Sequence, residues 1–511
     1  MSKKKAWIGL FLVLAMVLSL AGCGGKDKAT SSAAAEKKQA DVVVIGAGMA
    51  GMSAAIEAAQ QGSKVILLEK EGVLGGSTNH AEGMFGSESP LQKERGITVN
   101  EEALLKEEFQ FSNFKVDANL WKNVMRHSGE DIQWLMDMGV KFEDVLSTGA
   151  GNKTWHIYEG FGKSVINKHM KPTAEKLGVE ILVNTPAKEL IMNNGQVAGV
   201  KATTKDKKEL VINAKAVIIA TGGFGNNEEM VKELTHYDKT QYADRGAPGH
   251  DGDGIKMAKA AGALTGERAI VMNLGNSIEG TALDSQLSVA AGQEPSLWVN
   301  QDAKRFVNED VIWYYTRGSN AIMTQQKAFT VLDSDEISRL EAQGSTVGWG
   351  MYNSPGTKLT KLKAELKDAL DNGNPNVFTA NTLEELATKM EIDPATFVKT
   401  VNDYNSFCAN GKDGEYYKDA KYLHPVKTGP FYGFHVKACN LTSCGGIRVN
   451  INNEALNADY QPIKGLYVAG MDCDGFTGDT YGLTLPGSAQ GIACFTGRNS
   501  GKNAALYVRQ Q

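Results

Sequence analysis

The segment DVVVIGAGMAGMSAAIEAAQQGSKVILLEK, which spans residues 41–70, constrains the fold and function of this chain more than any other. An apolar run of strand length ends in the pattern Gly46-x-Gly48-x-x-Gly51, a helical segment follows, and a second apolar run ends at Glu69. In such a unit the first glycine permits a tight turn, the second lets the backbone approach a pyrophosphate, and the third lets helix and sheet pack closely. The terminal acid accepts from a ribose hydroxyl, which favours FAD or NAD over NADP. The sequence therefore predicts a β-α-β unit that binds a dinucleotide.

Two later segments repeat the pattern of a buried strand followed by glycines. Residues 211–220 alternate and then become uniformly apolar before the letters TGGFG. Residues 464–470 read KGLYVAG and lead into a glycine-rich tail. Turns of the kind that contact a cofactor are therefore expected near both ends of the chain.

The region between these two segments has a different character. Helical segments at 360–371 and 383–390 replace the glycine-rich turns. We therefore predict a Rossmann-like α/β domain made of residues 41–266 and 438–511, with an inserted α+β capping domain at 267–437. The cleft between two such domains is the expected location of a substrate site.

The N-terminal residues predict export and lipidation. Three lysines precede an apolar run at 6–20, which suits a secretory signal better than a membrane span. The letters LAGC, ending at Cys23, resemble the lipobox of bacterial lipoproteins, in which this cysteine takes the lipid. We predict a signal peptide at 1–22, a lipid on Cys23 and a flexible tether at 23–40, with an N-terminal transmembrane anchor as the alternative. The predicted location is extracytoplasmic, anchored to the bacterial cell membrane.

Charge and cysteine spacing argue against several kinds of partner. The net charge of −5 is not gathered into a basic stripe, so a nucleic-acid partner is not expected. The remaining cysteines show no CxxC or CxxCH spacing, which argues against haem and iron–sulfur clusters, and we assign neither a disulfide nor a metal. These cysteines are Cys408, Cys439, Cys444, Cys473 and Cys494.

The motifs along the chain resemble one flavoprotein family. In order they are GAGMAGMSAA, LEKEGVLGGST, NTPAKELI, VIIATGGF, GHDGDGIKMAKAAGA, KRFVNED, GLYVAG and GSAQGIACFTGRNSG, and they cover nearly all of residues 41–505. This series resembles the fumarate reductase and succinate dehydrogenase flavoproteins, particularly the flavocytochrome c type without its haem domain, together with urocanate reductases and ketosteroid dehydrogenases. The resemblance implies an FAD enzyme that acts on a carbon–carbon bond.

The resemblance also implies which residues hold FAD. A histidine stands at the position of Ser77 in members that bind flavin covalently, so the FAD here is expected to be non-covalent. We interpret the nearby His80 as an ordinary packing or polar residue. The implied cofactor-binding residues are Gly46, Ala47, Gly48, Met49, Ala50, Gly51, Glu69, Lys70, Gly75, Gly76, Ser77, Thr78, Ala187, Thr221, Gly222, Asp253, Gly470, Ser488, Ala489, Gly491 and Ile492.

For catalysis, the resemblance implies a hydride from flavin N5 to the β-carbon of an activated alkene and a proton from an arginine. That arginine follows the RFVNE letters in a Thr-Arg pair, which makes Arg317 the candidate proton donor. The spacing here is longer than in the fumarate enzymes. Tyr314 and Tyr315 remain alternative donors, as tyrosines act in the ketosteroid branch, and Tyr481 is a further candidate in the pocket.

Two departures from the fumarate enzymes concern the substrate. The histidine and arginine that clamp two carboxylates are replaced within LTSCGG (441–446) and YGLTLPG (481–487). Unpaired carboxylates in a desolvated cleft cost several kcal/mol, which argues against a small dicarboxylate substrate. Thr442, Ser443 and Thr484 indicate a more neutral, hydroxyl-lined pocket instead. Aromatic residues, which are Trp298, Trp313, Tyr314 and Tyr315, are candidate walls for a ring-bearing enone or acrylate.

The sequence also predicts how the reaction is supplied with electrons. It contains neither a haem motif nor a second nucleotide fingerprint, so an external carrier, either a flavinylated protein or a cytochrome, is expected. We therefore predict an extracytoplasmic FAD-dependent reductase of an activated C=C bond in an enoate or enone other than fumarate, serving anaerobic respiration. The alternatives are a ketosteroid-type dehydrogenase that introduces a double bond and a lipoprotein that only binds flavin or a solute.

Overall fold

The computed structural model describes residues 35–511 apart from 148–151, 236, 267 and 283. The predicted signal peptide, Cys23 and most of the predicted tether lie outside the described residues. The strands are β1 Glu36–Gln39, β2 Val42–Ile45, β3 Val65–Leu68, β4 Gly83–Phe85, β5 Phe142–Leu146, β6 Trp155–Tyr158, β7 Glu180–Leu182, β8 Ala187–Asn193, β9 Gln196–Thr203, β10 Glu209–Asn213, β11 Ala216–Ile219, β12 Tyr242–Asp244, β13 Ile270–Ser277, β14 Leu297–Asn300, β15 Ala328–Asp333, β16 Val377–Ala380, β17 Phe431–Cys444, β18 Glu454–Leu456 and β19 Pro462–Val468.

The α-helices are α1 Met49–Gln60, α2 Pro90–Glu94, α3 Glu101–Phe111, α4 Ala118–Asp137, α5 Phe161–Ser164, α6 Lys171–Lys176, α7 Glu228–Leu234, α8 Asp253–Ala260, α9 Gln286–Gly292, α10 Tyr315–Met323, α11 Ser334–Gln343, α12 Leu362–Asp371, α13 Leu383–Lys389, α14 Pro394–Asn410 and α15 Ser488–Arg509. Short 3-10 and π turns connect several of them. Within the described residues, none of these helices is both long enough and apolar enough to span a membrane.

The central sheet has the strand order β18-β19-β11-β2-β3-β7, and β19, β11, β2, β3 and β7 run parallel. Its middle strands β2, β3 and β11 are buried along their whole length, as expected for a parallel sheet covered on both faces. The carboxyl ends of these strands meet at one edge, and the loops that follow them form the cofactor side of the molecule.

A second large sheet has the order β12-β17-β15-β14, with β13 and β16 also paired to β17. It contains most strands of the predicted capping domain, and its long strand β17 crosses the predicted boundary at 437/438. The strand β12 pairs with β17 although its residues fall within 41–266. The exact domain boundaries therefore stay a prediction, while the mixed α/β architecture predicted from the sequence is confirmed.

Helices α1 and α15 pack closely beneath the cofactor edge. A Cβ atom on Gly501 would lie 3.1 Å from the carbonyl carbon of Ala54, and one on Gly497 would lie 3.0 Å from that of Ala50. Since these glycines let the two helices approach, the N-terminal part of α1 packs against the middle of α15.

Most local predictions are confirmed, and two are wrong. The first strand, helix α1 and the helices predicted at 360–371 and 383–390 are present. The run at 211–220 forms two strands, β10 and β11, because Ala214 and Lys215 interrupt the pairing. The residues Glu36–Gln39 of the predicted tether form the strand β1, because their backbone pairs in parallel with β10.

Candidate active site

A cavity of about 430 Å³ opens at the carboxyl ends of the parallel strands. The loops after β2, β3, β11 and β19 form one side, and residues from the second sheet form the other. One end is lined by Glu69, Lys70, Ala187 and Asp253, and the opposite end by aromatic and aliphatic side chains. The cavity thus joins the predicted nucleotide site to a separate apolar compartment.

The glycines of the first turn act as the sequence predicts. Gly46 has φ +102°, and a Cβ there would lie 2.8 Å from the carbonyl carbon of Ala220 on the neighbouring strand. A Cβ on Gly51 would lie 2.8 Å from the carbonyl carbon of Gly46. Gly48 meets only ordinary contacts, the nearest being 3.6 Å from Gly75 O, and it faces the cavity. Gly46 and Gly51 therefore permit close backbone packing, while Gly48 leaves the helix N-terminus accessible to a phosphate.

Glu69 ends β3 and is held by the backbone. Its Oε2 accepts from Ala47 N at 2.9 Å and its Oε1 from Glu71 N at 2.8 Å. Burial raises the pKa of this carboxyl, and the two N–H groups oppose that effect. Carboxylate oxygens have further lone pairs, so Glu69 remains able to accept from a ribose hydroxyl.

Lys70 and Asp253 lie together at the same end of the cavity. The Lys70 ammonium contacts Asp253 at 2.8 Å and Asp251 at 2.7 Å. These two carboxylates hold the pKa of Lys70 above its ordinary value despite its partial burial. The charge of Lys70 is therefore already balanced before any ligand binds.

Asp472 is a structural residue of the cofactor site that the sequence did not single out. It is completely buried, and its oxygens accept from Gly223 N at 2.9 Å and Gly222 N at 3.2 Å, as well as from the backbone and hydroxyl of Thr221. The turn after β19 thereby fixes the turn after β11. No local sequence pattern identifies this long-range contact.

The other end of the nucleotide site has polar atoms that lack a partner among the described residues. Ser77 Oγ, Asn79 Oδ1 and Gln490 Oε1 are all buried, and their residues line the cavity. Buried polar atoms are normally hydrogen-bonded, so this arrangement suits a ligand with several donors and acceptors. Thr78 Oγ1 accepts from Met49 N at 3.0 Å and joins this segment to α1. These features fit the isoalloxazine and ribityl groups of FAD, and Ser77 offers no imidazole for a covalent link.

Most of the predicted cofactor residues meet in this one cavity. Those that line it are Gly46, Ala47, Gly48, Met49, Ala50, Glu69, Lys70, Gly75, Gly76, Ser77, Thr78, Ala187, Thr221, Gly222, Asp253, Gly470 and Ala489. Gly51, Ser488, Gly491 and Ile492 do not line it and instead pack the two helices behind it. Their cofactor-binding roles stay predictions, with Gln490 and Ala493 facing the cavity instead.

The apolar compartment is built by both halves of the molecule. The second sheet contributes Met272, Leu274 and Leu441, and a loop after α11 contributes Trp349 and Tyr352, which sequence reasoning missed. Trp298, Trp313 and Tyr314 do not line the cavity, so this geometry does not support their proposed role as substrate walls. Trp298 is fully buried in the core of the second sheet, while Tyr314 is 43 % exposed.

Tyr315, at the start of α10, reaches the cavity. Its hydroxyl donates to Gly348 O at 3.2 Å and accepts from Gly350 N at 3.4 Å, and its ring stacks with Trp349 at 6.4 Å between centroids. Burial raises the pKa of Tyr315 to about 12. The phenol therefore stays protonated at neutral pH and is available as an acid.

Arg317 lies elsewhere. Its guanidinium lies over the rings of Tyr314, at 4.4 Å, and Phe111, at 5.4 Å, and it lines a separate surface depression with Asn320 and Thr480. It does not line the FAD cavity. The proton-donor role of Arg317 is thus not supported by this geometry, because α10 directs the side chains of Tyr315 and Arg317 to different sides.

Three of the predicted polar pocket residues have internal partners. Tyr481 OH accepts from Ala489 N at 3.0 Å and bonds Ser488 Oγ at 2.9 Å, while burial raises its pKa to about 12. Thr442 Oγ1 lines the cavity and donates to Gly222 O at 3.1 Å. Ser443 and Thr484 do not line it. Ser443 Oγ instead accepts from the backbone of the turn after β11.

Several cavity residues with ionisable side chains were not predicted. Arg245 donates to Ile278 O and to Thr281 Oγ1 at 2.7 Å, and it has no carboxylate within ion-pair distance in the described part of the chain. Burial lowers the pKa of His250 to about 4, so its imidazole, which contacts Thr442 Oγ1 at 3.2 Å, is neutral. Glu82 also lines the cavity, and its position directly after the predicted flavin segment was the available sequence signal.

The five described cysteines are free thiols, and four of them are buried. The described residues also contain no cluster of histidine, cysteine, aspartate or glutamate side chains suited to a metal ion.

The parallel sheet, the glycine turns and the cavity define an FAD-dependent oxidoreductase. A family model described as an FAD binding domain matches residues 41–482. The chain belongs to this family and, within it, to the fumarate reductase type of flavoproteins that act on carbon–carbon bonds.

Individual relatives agree with this placement. The chain is 42 % identical over 479 residues to the vinyl phenol reductase of Lactiplantibacillus plantarum, covering 92 % of this chain and 97 % of that protein. It is 30 % identical over 498 residues to a fumarate reductase (cytochrome) of Shewanella frigidimarina, covering 95 % of this chain and 81 % of that protein. The solved 3-ketosteroid Δ1-dehydrogenase of Sterolibacterium denitrificans has the same fold, with a TM-score of 0.74 and 18 % identity over 92 % of this chain and all of that one.

Proposed function

We propose that this FAD enzyme reduces an alkene conjugated to an aromatic ring, of the hydroxystyrene type. The observation that supports this most is the composition of the cavity opposite the nucleotide end, where Met272, Leu274, Tyr315, Trp349 and Leu441 form the wall. A flat aryl alkene buries its ring against such a surface. The relative from Lactiplantibacillus plantarum, which this chain matches almost end to end, is named for a vinyl phenol substrate.

The distribution of charge argues against a dicarboxylate substrate. Among the described lysines and arginines, Lys70 and Arg245 are those that line the cavity, and Lys70 is already paired with two aspartates. Arg245 follows β12 and lies beside β13. It has no carboxylate within ion-pair distance among the described residues, so its charge is available to a substrate oxygen. A single guanidinium suits a phenol oxygen, whereas a second carboxylate would remain unpaired at a cost of about 2 kcal/mol or more.

When bound, FAD supplies the hydride chemistry. We propose that Tyr315 supplies the proton to the other alkene carbon, since this residue lines the same cavity and its hydroxyl remains protonated at neutral pH. Trp349 and Leu441 exclude water from the alkene, and Arg245 orients the ring through its oxygen. These roles replace the proton-donor role that the sequence assigned to Arg317.

The test starts with anaerobic enzyme whose flavin has been chemically reduced. We expect 4-vinylphenol to reoxidise the flavin and to give 4-ethylphenol, while fumarate leaves the spectrum unchanged. Tyr315→Phe should retain FAD and lower kcat at least about 100-fold, as expected for loss of a general acid. Arg317→Ala serves as the comparison and should keep most of the activity. In a separate sample with oxidised flavin, reduction by a saturated ketone would indicate a dehydrogenase. No response to any alkene or ketone would indicate a protein that only binds flavin.

We also propose that the enzyme acts outside the cytoplasm, anchored by a lipid on Cys23 and supplied with electrons by an external flavinylated protein or cytochrome. The support is the LAGC sequence before the tether and the absence of a haem motif or second nucleotide fingerprint from the sequence. Metabolic labelling with palmitate in a bacterial host should label the wild type and not Cys23→Ala. Labelling of neither, or activity found only in the soluble fraction of wild-type cells, would contradict the anchor.

A further inference from the structure

Glu82 lines the cavity, and its carboxyl group packs against the loop that contains Gly350 and Met351. Glu82 directly precedes β4. The loop against it, which contains Gly350 and Met351, follows α11 and lies far from Glu82 in the sequence. Its Oε1 accepts from Met351 N at 2.8 Å, and a Cβ on Gly350 would lie 2.5 Å from Oε2. The carboxyl is thus pressed against this loop, and Glu82 lines the cavity.

Tyr315 meets the same loop from the other half of the cavity. Its hydroxyl accepts from Gly350 N at 3.4 Å, so Glu82 and Tyr315 both contact Gly350. Tyr352 is anchored by its own hydroxyl, which donates to His80 O at 3.0 Å. The Glu82 carboxyl and the Tyr315 hydroxyl therefore contact the loop at the same residue, although neither residue's sequence context predicts the other.

The two groups differ in how easily they exchange protons with water. Burial raises the pKa of Tyr315 and of Tyr352 to about 12, and Glu82 contributes repulsion at both phenols. Burial raises the pKa of Glu82 to about 7, opposed by the backbone N–H groups of Met351 and Tyr352. Glu294 also contributes repulsion at the Tyr315 phenol, but it accepts from the backbone of Thr346, Val347 and Gly348 and lies 3.8 Å from Arg339. Of the two acids that repel the Tyr315 phenol, Glu82 is the one that lines the cavity, and its pKa of about 7 lets it exchange its proton near neutral pH.

We propose that Glu82 is a positioning residue that returns a proton to Tyr315 after each turnover, an inference that rests on the proposed function. The Tyr315 O–H bond breaks as a C–H bond forms on the alkene carbon that does not receive the hydride. The resulting phenolate takes the proton of the Glu82 carboxylic acid, across Gly350 or through one water molecule. The Glu82 carboxylate then takes a proton from solvent, which closes the cycle.

The informative variant is Glu82→Gln, which keeps the acceptor for Met351 N and removes the proton. We expect FAD content and KM to stay near wild type and kcat at pH 7 to fall about tenfold or more. The wild type should lose activity as pH rises through 7, because Glu82 must be protonated to act. In Glu82→Gln this loss of activity above pH 7, the alkaline limb of the plot of rate against pH, should be absent. Retention of the limb in Glu82→Gln would overturn the proposal.

Glu294→Gln is the matched control, because Glu294 is a buried carboxyl that holds Thr346, Val347 and Gly348 of the same loop without lining the cavity. It should keep the alkaline limb whatever its kcat. Loss of the limb in this variant as well would mean that loop placement, not proton transfer, explains the effect.

A double variant tests whether the two groups act in series. Glu82→Gln combined with Tyr315→Phe should be no slower than Tyr315→Phe alone, since the relay has no function without the phenol. Additive losses would mean that Glu82 acts on the substrate independently of Tyr315 and would overturn the order of transfer.

The protonation of Glu82 can be measured without catalytic turnover. Infrared difference spectra of the FAD-bound enzyme between pH 6 and 8 should show a protonated-carboxyl band in the wild type that Glu82→Gln lacks. This comparison separates Glu82 from Glu108 and Asp131, two other buried acids with a pKa of about 7. If this band titrates but no aryl alkene is reduced, the proposed function fails while the protonation of Glu82 stands. If the aryl alkene is reduced and the band is missing, the relay fails and the function stands.

Discussion

Replacing Glu108 by glutamine should stabilise the protein above neutral pH and change its stability little at pH 5. Glu108 lies on α3 with 3 % of its surface exposed, and a Cβ on Gly482 would lie 2.9 Å from its Oε2. Burial raises the pKa of this carboxyl from 4.5 to about 7, and the neighbouring Glu107 adds repulsion. The folded protein therefore favours the protonated form of Glu108.

The sign and size of the effect follow from this pKa. Below pH 4.5 the carboxyl is protonated in both the folded and the unfolded protein, so ionisation of Glu108 does not lower the free energy of unfolding. Between pH 4.5 and 7 the unfolded chain releases the proton and the folded protein keeps it, so the free energy of unfolding falls as pH rises. Above pH 7 the loss reaches its full value of about 3 kcal/mol. Glutamine has a similar shape and no charge, so it avoids most of this loss.

The measurement is urea unfolding of the FAD-bound protein at pH 5 and at pH 8. Glu108→Gln should raise the free energy of unfolding by about 2 to 3 kcal/mol at pH 8 and by less than about 1 kcal/mol at pH 5. Glu102→Gln changes an exposed acid on the same helix and should have less than about 1 kcal/mol of effect at either pH. If Glu108→Gln raises the free energy of unfolding by no more at pH 8 than at pH 5, the reasoning is refuted.

Two other substitutions test the cofactor turn and a buried ion pair. Gly46→Ala should yield protein with little bound FAD, because the new Cβ meets the backbone of Ala220. The measurement is the ratio of flavin to protein absorbance. Gly62→Ala is the control and should keep its FAD, because Gly62 also has a positive φ but a Cβ there meets nothing within 4 Å. Asp413→Ala removes a carboxylate that bonds both terminal nitrogens of the fully buried Arg305, at 2.9 and 3.0 Å, and should lower the free energy of unfolding by about 3 to 5 kcal/mol. Equal flavin contents for the two glycine variants, or an unfolding midpoint of Asp413→Ala like that of wild type, would contradict these expectations.

The cofactor half of the site was predictable because its information is local. Gly46, Gly51 and Glu69 lie within one continuous β-α-β unit, and each is required by the backbone immediately around it. The turns after β11 and β19 follow the same rule, since parallel strands bring their carboxyl ends to one edge. The helix packing that removes Gly491 and Ile492 from the cavity is not visible in this local pattern, which explains why they were included.

The substrate half was not predictable in the same way. The sequence indicated that the clamps of a dicarboxylate are missing and that Tyr315 or Arg317 faces the substrate. Residues two apart on an α-helix point about 200° away from each other, so only one of them faces the cavity, and a small difference in helix start decides which. Trp349 and Arg245 reach the compartment from loops whose paths depend on the packing of the second sheet.

The sequence by itself thus determined a nucleotide-binding α/β chain with FAD at the edge of a parallel sheet, because the glycine turns and buried strands act through neighbouring residues. Only the tertiary structure decided that Tyr315 enters the cavity, that Arg317 stacks on Phe111 outside it, and that Glu82 meets the loop at Gly350. These contacts join segments far apart in the chain, and their geometry is set by packing between the two halves of the molecule.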